Sequence, residues 1–277
     1  MRMISAAKIK QTVAKLCIQA NLELRSDVLS SLKSAYAKEK NKRAKDILGA
    51  IIKNARIACD EKLAICQDTG IPIVFVELGQ DVKVKGDLKL AINRGVEFGY
   101  KSATLRNSII RDPLKRVGSK FSPTVIHFDI VKGNKIKIAV LPKGFGCENK
   151  SQLKMFKPTA KTEEIKKFIV DSVKAAGPDA CPPYVVGVGI GGTADYASLL
   201  AKKALLRNIT AYSLKLAAKL ERDLLNEINK LNIGPMGLGG KATVLAVNIE
   251  TYPTHIAGLP VAVNISCHAL RSATAVL

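Results

Sequence analysis

Apolar residues recur at helical spacing through the first sixty positions. Ile9, Val13, Leu16 and Cys17 stand at i, i+4, i+7 and i+8, and Val28, Leu32 and Ala35 repeat the pattern behind Ser26, a residue suited to cap a helix. This spacing predicts a mainly helical opening segment over 1–60. From Ile71 the texture changes to short runs rich in β-branched residues, which predicts strands over 73–77, 125–131, 135–141, 184–188, 244–249 and 261–265. Helical stretches lie between them near 85–98, 161–176, 193–206 and 210–230. Such alternation predicts a mixed α/β (α+β) fold. The runs 125–131 and 135–141, joined by Lys132-Gly133-Asn134, read as a hairpin, so the sheet is expected to be mixed. No repeat or clear linker divides the chain, which reads as a single domain over 1–277.

Composition narrows this picture. Hydrophobic residues make up 47% of the 277 positions and charged residues only 24%, which excludes an intrinsically unfolded chain. The first residues hold no secretory apolar core and no later run approaches the length of a membrane span, so a cytoplasmic protein without a membrane partner is expected.

The balance of 44 Lys+Arg against 23 Asp+Glu gives a net charge of +21, which would suit nucleic acid, an anionic substrate or an acidic partner subunit. The densest run, Lys38 to Lys45, lacks the interleaved aromatics that stack on bases, and the other lysines alternate with apolar residues as solvent faces do. A solvated basic surface is therefore expected rather than a nucleic-acid footprint. A basic nucleic-acid-binding or structural protein is kept as the reading from a different class.

Four segments carry candidate chemistry. Cys66-Gln67-Asp68-Thr69-Gly70 follows a helix and precedes a strand, so Cys66 can be exposed with Asp68 pointing into the same cleft, or else buried ahead of an Asx-type turn. Cys181 precedes Pro182-Pro183 on a stiff loop. The glycines that follow, 187 to 192, spell G-x-G-x-x-G, but the ribose-binding acid of a dinucleotide site is missing, and an anion-binding turn at the helix beginning near Thr193 is the simpler expectation. The segment from Gly234 to Ala242 has Pro235 and Ala242 where a P-loop needs glycine and Ser or Thr, which excludes a nucleoside triphosphate site of that type. Finally, His255 lies in a turn before the strand that delivers Cys267.

Six cysteines scattered over a chain of this length argue against a disulfide framework. Cys17 and Cys59 fall within helical apolar patterns and read as core. Cys66, Cys181 and Cys267 stand beside glycine or proline or at a strand end, too far apart in sequence for a local zinc knuckle but compatible with a long-range site. Three thiolates without a fourth would leave an open position on zinc or on one iron of a cluster, and an open position permits Lewis-acid chemistry.

These segments, together with Gly144-Phe145-Gly146-Cys147-Glu148-Asn149, Gly234-Pro235-Met236-Gly237-Leu238-Gly239-Gly240 and Pro260-Val261-Ala262-Val263-Asn264 before Cys267, resemble the class I, iron–sulfur-dependent fumarate hydratase and tartrate dehydratase family. The resemblance is to its N-terminal domain, the alpha chain of two-subunit members. It implies a [4Fe–4S] cluster held by Cys66, Cys181 and Cys267. It also implies Asp68 as proton donor to the leaving hydroxyl, supported by His255, with Gln67, Arg106 and the backbone at Gly146 binding substrate carboxylate. The activity implied is fumarate hydration to (S)-malate, with L-tartrate dehydration as the alternative, both on a fumarate/malate-type dicarboxylate. The second domain of single-chain members, which supplies the general base, has no counterpart here, so a beta subunit and an alpha2beta2 heterotetramer are implied. Cys147 stands where the family usually has serine, and the segment from Cys267 to Arg271 is less arginine-rich than in many relatives.

Overall fold

The computed structural model describes residues 2–211 and 217–277. In chain order its elements are β1 (Arg2–Ser5), α1 (Ala6–Leu22), α2 (Ser26–Lys38), α3 (Lys42–Asp60), β2 (Ile71–Gly79), β3 (Val82–Lys85), α4 (Leu88–Ser102), β4 (Ile109–Asp112), β5 (Val117–Lys120), β6 (Val125–Val131), β7 (Ile136–Lys143), α5 (Phe145–Glu148), β8 (Gln152–Phe156), α6 (Thr162–Ala176), β9 (Tyr184–Gly192), α7 (Ala194–Ala204), α8 (Ala217–Asn229), β10 (Val244–Thr254), β11 (Leu259–Ser266) and β12 (Ala273–Val276). The fold is mixed α/β, as the sequence predicts. Part of the helix expected over 210–230 lies outside the described residues. Among those described, no helix is long and apolar enough to cross a membrane.

The chain forms two compact units. The first comprises Met1–Arg25, Ala55–Phe145 and Arg271–Leu277, the second Ser26–Asn54 and Gly146–Leu270. The first is built on a mixed sheet in the order β12-β7-β2-β6, with β2 parallel to β6 and antiparallel to β7. Here the expected hairpin is corrected: β6 and β7 are consecutive but unpaired, because β2 inserts between them. β2 is an apolar run buried along most of its length, the pattern of a strand with neighbours on both sides. At its end the backbone passes so close that a Cβ on Gly79 would lie 2.3 Å from the Gly133 carbonyl oxygen.

Helix α1 covers this sheet. Ser5 caps it by accepting from the Lys8 amide at 3.2 Å, and Ile9, Val13, Leu16, Cys17 and Ala20 are buried on one stripe. Its neighbour α4 offers two glycines four apart, where side chains would collide with α1: a Cβ on Gly95 would meet Val13 Cβ at 2.8 Å, and one on Gly99 would meet the Ala14 carbonyl oxygen at 2.7 Å.

The second unit carries a sheet in the order β10-β9-β11-β8, in which β9 runs parallel to β10 and antiparallel to β11. Alternation divides its faces. Val186 and Val188 of β9 and Val261, Val263 and Ile265 of β11 join a core with α6 and α8, whereas Ala262 packs with Ala197 and Ala201 of α7. On that α7 face β9 presents Gly187 and Gly189, where a Cβ would stand 2.1 Å from the Ala201 oxygen and 2.0 Å from the Ala197 oxygen. The G-x-G pattern thus admits a helix directly onto the strand.

Candidate active site

In the first unit the loop between α3 and β2 gathers four of the predicted residues. Cys66 is half-buried and its Sγ lies 3.6 Å from Gln67 Oε1. Asp68 is held at both carboxylate oxygens: Oδ1 accepts from the Gly70 amide at 2.9 Å and Oδ2 from the Phe145 amide at 2.8 Å. Its carbonyl oxygen accepts from Arg271 Nη2 at 2.7 Å. The next residue ties in Arg106, whose amide donates to Thr69 Oγ1 at 3.1 Å. The Thr69 carbonyl accepts from the buried Tyr100 hydroxyl at 2.9 Å, and burial pushes that phenol above its usual range. Gly70 closes the loop at φ +71°, with space for no side chain, since a Cβ would lie 2.8 Å from the Lys143 backbone nitrogen. Between the sequence's two readings of this segment, the structure takes from each: an Asx-type turn at Asp68, and a thiol that is partly accessible. The Gln67 and Arg106 side chains are exposed.

In the second unit Cys181 and Cys267 come to one end of the sheet. Cys181 precedes β9 and Cys267 follows β11, and the Cys181 carbonyl receives the His268 amide at 3.4 Å and lies 3.1 Å from His268 Nδ1. Cys181 is held at φ +58°, a region costly for a side-chain-bearing residue and favoured where surrounding structure imposes it. The glycine loop from Gly234 to Gly240 supplies part of that constraint. Met236 donates its amide to the Pro182 carbonyl at 2.8 Å, and Gly237 sits so close that a Cβ would be 2.3 Å from Pro178 Cβ. The false P-loop is therefore a buttress for the cysteine turn.

Gly146 lies at this same end, exposed, with the Asp179 carbonyl oxygen 3.9 Å from where its Cβ would be. Cys147 is buried and its Sγ donates to the Ala180 carbonyl at 3.3 Å, so it fills a core position under the turn. Glu148 is the anchor that sequence reasoning missed. It pairs with Lys202 Nζ and accepts from Asn264 Nδ2 at 2.9 Å, while the same Nδ2 reaches Ser151 Oγ at 2.8 Å. A buried asparagine on a strand of valines was the available signal. Arg271, also missed, is buried and bonds Asn21 Oδ1 at 3.4 Å besides Asp68, with its Nε unpartnered.

His255 is exposed on the turn between β10 and β11, where its Nδ1 accepts from the Ala257 amide at 3.1 Å, leaving Nε2 for any other partner. It precedes β11 and Cys267 follows it, so the eight residues of that strand, about 25 Å, separate the two. The expected anion-binding turn at α7 is also replaced. Hydrogen bonds from Thr193 and from the Asp195 and Tyr196 amides hold the Asp195 carboxyl below the usual carboxylate range, so the chain's own acid occupies the helix N-terminus. Among the described residues no three His, Cys, Asp or Glu side chains stand close enough together to hold a metal ion.

The family model described as fumarate hydratase (Fumerase) matches residues 10–276, and the chain belongs to that family. It is 44% identical over 275 residues to a Methanocaldococcus jannaschii protein provisionally named L(+)-tartrate dehydratase subunit alpha, the match covering 96% of each chain. It is also 31% identical to the L(+)-tartrate dehydratase subunit alpha of Escherichia coli strain K12, over 96% of this chain and 90% of the relative.

Proposed function

We propose that this chain is the alpha subunit of a class I hydro-lyase that removes water from L-tartrate to give oxaloacetate. The observation that carries the proposal is the Cys66–Gly70 loop, which sets a thiol two residues from a carboxylate fixed at both oxygens. The naming of relatives that match nearly end to end favours tartrate over fumarate. Fumarate hydration is the second reading, favoured by the family description.

Cys66, Cys181 and Cys267 would hold a [4Fe–4S] cluster. The donor set suits it: three half-buried thiols, none in a disulfide, with Cys181 held at φ +58° beside the glycine loop. When bound, the cluster supplies an open iron that draws charge from a hydroxyl. Asp68 gives its proton to the departing hydroxyl, completing water, and each of its oxygens keeps a lone pair beyond the backbone bond it accepts. Gln67, the Arg106 guanidinium and the Gly146 amide bind the substrate carboxylates. The base that removes the carbon-bound proton comes from a beta subunit, and the resulting enol tautomerises to oxaloacetate. The surplus of +21 favours the approach of a dianion. His255, on the turn before β11, supports Asp68 in this reading through its Nε2, since its Nδ1 accepts from the Ala257 amide.

Anaerobic reconstitution with iron and sulfide, followed by addition of the beta chain and parallel assays on L-tartrate and (S)-malate, tests the reading. The expected result is a brown protein that turns over tartrate with the higher kcat/KM. Cys66→Ser, Cys181→Ser and Cys267→Ser should each lower cluster content; a full cluster in all three would overturn the ligand set. Asp68→Asn should lower kcat about 100-fold or more with the cluster intact. His255→Asn should likewise lower kcat with the cluster intact, and normal turnover in that variant would remove His255 from the proposed catalytic set.

A further inference from the structure

The segment 146–151, which carries the Gly146 amide, is held by side chains on two sides. Toward the cysteine turn, Cys147 Sγ donates to the Ala180 carbonyl at 3.3 Å and Lys150 Nζ pairs with Asp179 Oδ2 at 2.9 Å. Toward α7 and β11 the hold is polar throughout. Glu148 pairs through Oε1 with Lys202 Nζ and accepts through Oε2 from Asn264 Nδ2 at 2.9 Å. The same amide nitrogen also donates to Ser151 Oγ at 2.8 Å, and the Ser151 hydroxyl donates back to the Glu148 carbonyl at 2.7 Å.

Three features set this network apart from polar contacts kept for stability. Asn264 is 3% exposed, yet its Oδ1 has no partner, and a buried acceptor left unpaired costs free energy that an apolar residue would not. The Glu148 and Lys202 side chains are only 21% and 22% exposed, and an ion pair withdrawn that far from water returns little net stability against its desolvation. A cavity of about 210 Å³ lies against Glu148, Ser151, Lys202 and Asn264, so on that side charge and hydrogen bonds fix the Glu148 carboxylate where packing does not.

We propose that Glu148, Lys202 and Asn264 are positioning residues: they fix the segment 146–151 against α7 and β11, and so set where the Gly146 amide stands beside the Cys181 turn. Its consequence for substrate rests on the reading above, in which that amide binds a carboxylate. Glu148 follows Gly146 by two residues on the single turn of α5, so little chain lies between them to absorb a shift of its carboxylate. The effect passes through Gly146, and loss of the network weakens carboxylate binding rather than proton transfer from Asp68.

The test combines hydrogen exchange on the full-length chain with kinetics on the reconstituted complex with the beta chain. Glu148→Gln and Lys202→Met should speed amide exchange over 144–151 about tenfold or more, with exchange in β9 and β11 unchanged. In the complex both should raise KM for the dicarboxylate about tenfold, with kcat within about twofold and cluster content unchanged. Lys202→Arg, which keeps the cation, should restore most of the affinity. The joint variant Glu148→Met with Lys202→Met removes both charges and leaves Asn264 its Ser151 acceptor, so its Tm should hold or rise while its KM rises as in the single variants. A network kept for structure alone gives the reverse, a lower Tm with KM unmoved, and that result overturns the proposal. So does unchanged exchange over 144–151, or a loss of kcat with KM unaltered. A wild-type complex that turns over neither L-tartrate nor (S)-malate would instead count against the proposed activity, and the exchange rates would then decide the positioning role on their own.

Discussion

Arg271 turns a loop into a fixed acid. Its guanidinium is buried and reaches the Asp68 main-chain oxygen from the last stretch of the sequence, while the two Asp68 carboxylate oxygens are held by amides of Gly70 and Phe145. A planar fork does this better than an ammonium point charge. Arg271→Lys should therefore leave the fold and cluster content in place, lower kcat about tenfold and change KM little, since the substrate contacts proposed for Gln67 and Arg106 are untouched. Equal loss in a Tm measurement and in cluster content would make the residue structural instead. The sequence exposes Asp68 because cysteine, acid and glycine stand together in one short segment. It hides Arg271 and Glu148, because their partners are backbone groups and side chains distant in the chain, and no local spacing encodes them.

At the scale of elements, the glycines of β9 show how one pattern serves two readings. G-x-G-x-x-G between strand and helix can cradle a phosphate, but here alternate residues of β9 face α7, and the missing side chains let that helix sit on the strand. Gly189→Ala would drive a methyl group into the Ala197 carbonyl, so its thermal midpoint should fall, consistent with an overpacking cost of about 1–3 kcal/mol; an unchanged midpoint would show that α7 can shift. The hairpin expected of 125–131 and 135–141 fails for a related reason. Proximity in sequence favours a hairpin, yet the more apolar β2 takes the central place, and only tertiary burial decides that order. Strand and helix types were legible from periodicity; strand neighbours were not.

Glu39, just beyond α2, belongs to this scale too. It is buried, which would raise its pKa, but the amides of Asn41, Lys241 and Lys40 donate to it and hold it below the usual carboxylate range. A depressed folded-state pKa contributes stability that is present above the unfolded value, about 4.3, and is lost as pH falls through the folded one. Glu39→Gln should thus lower stability at pH 7 by about 2 kcal/mol, the worth of hydrogen bonds to a charged group, and the gap to wild type should close in acid. A constant gap across pH would show that the charge does not matter.

At the scale of the whole molecule, the two units differ in what their cysteines can report. Cys17 lies fully buried in the first unit, where burial pushes its thiol up to about 12, and Cys147 lies buried in the second beneath the Ala180 carbonyl. Neither can meet an alkylating reagent until its own surroundings open. With Cys59, Cys66, Cys181 and Cys267 replaced, the chain would carry one silent thiol in each half. Mass spectrometry after timed alkylation would then give two opening rates from one sample: coincident rates if the halves unfold together, separate ones if each is its own cooperative body. The same two residues that contribute nothing to the proposed chemistry would become stopwatches for the fold that supports it.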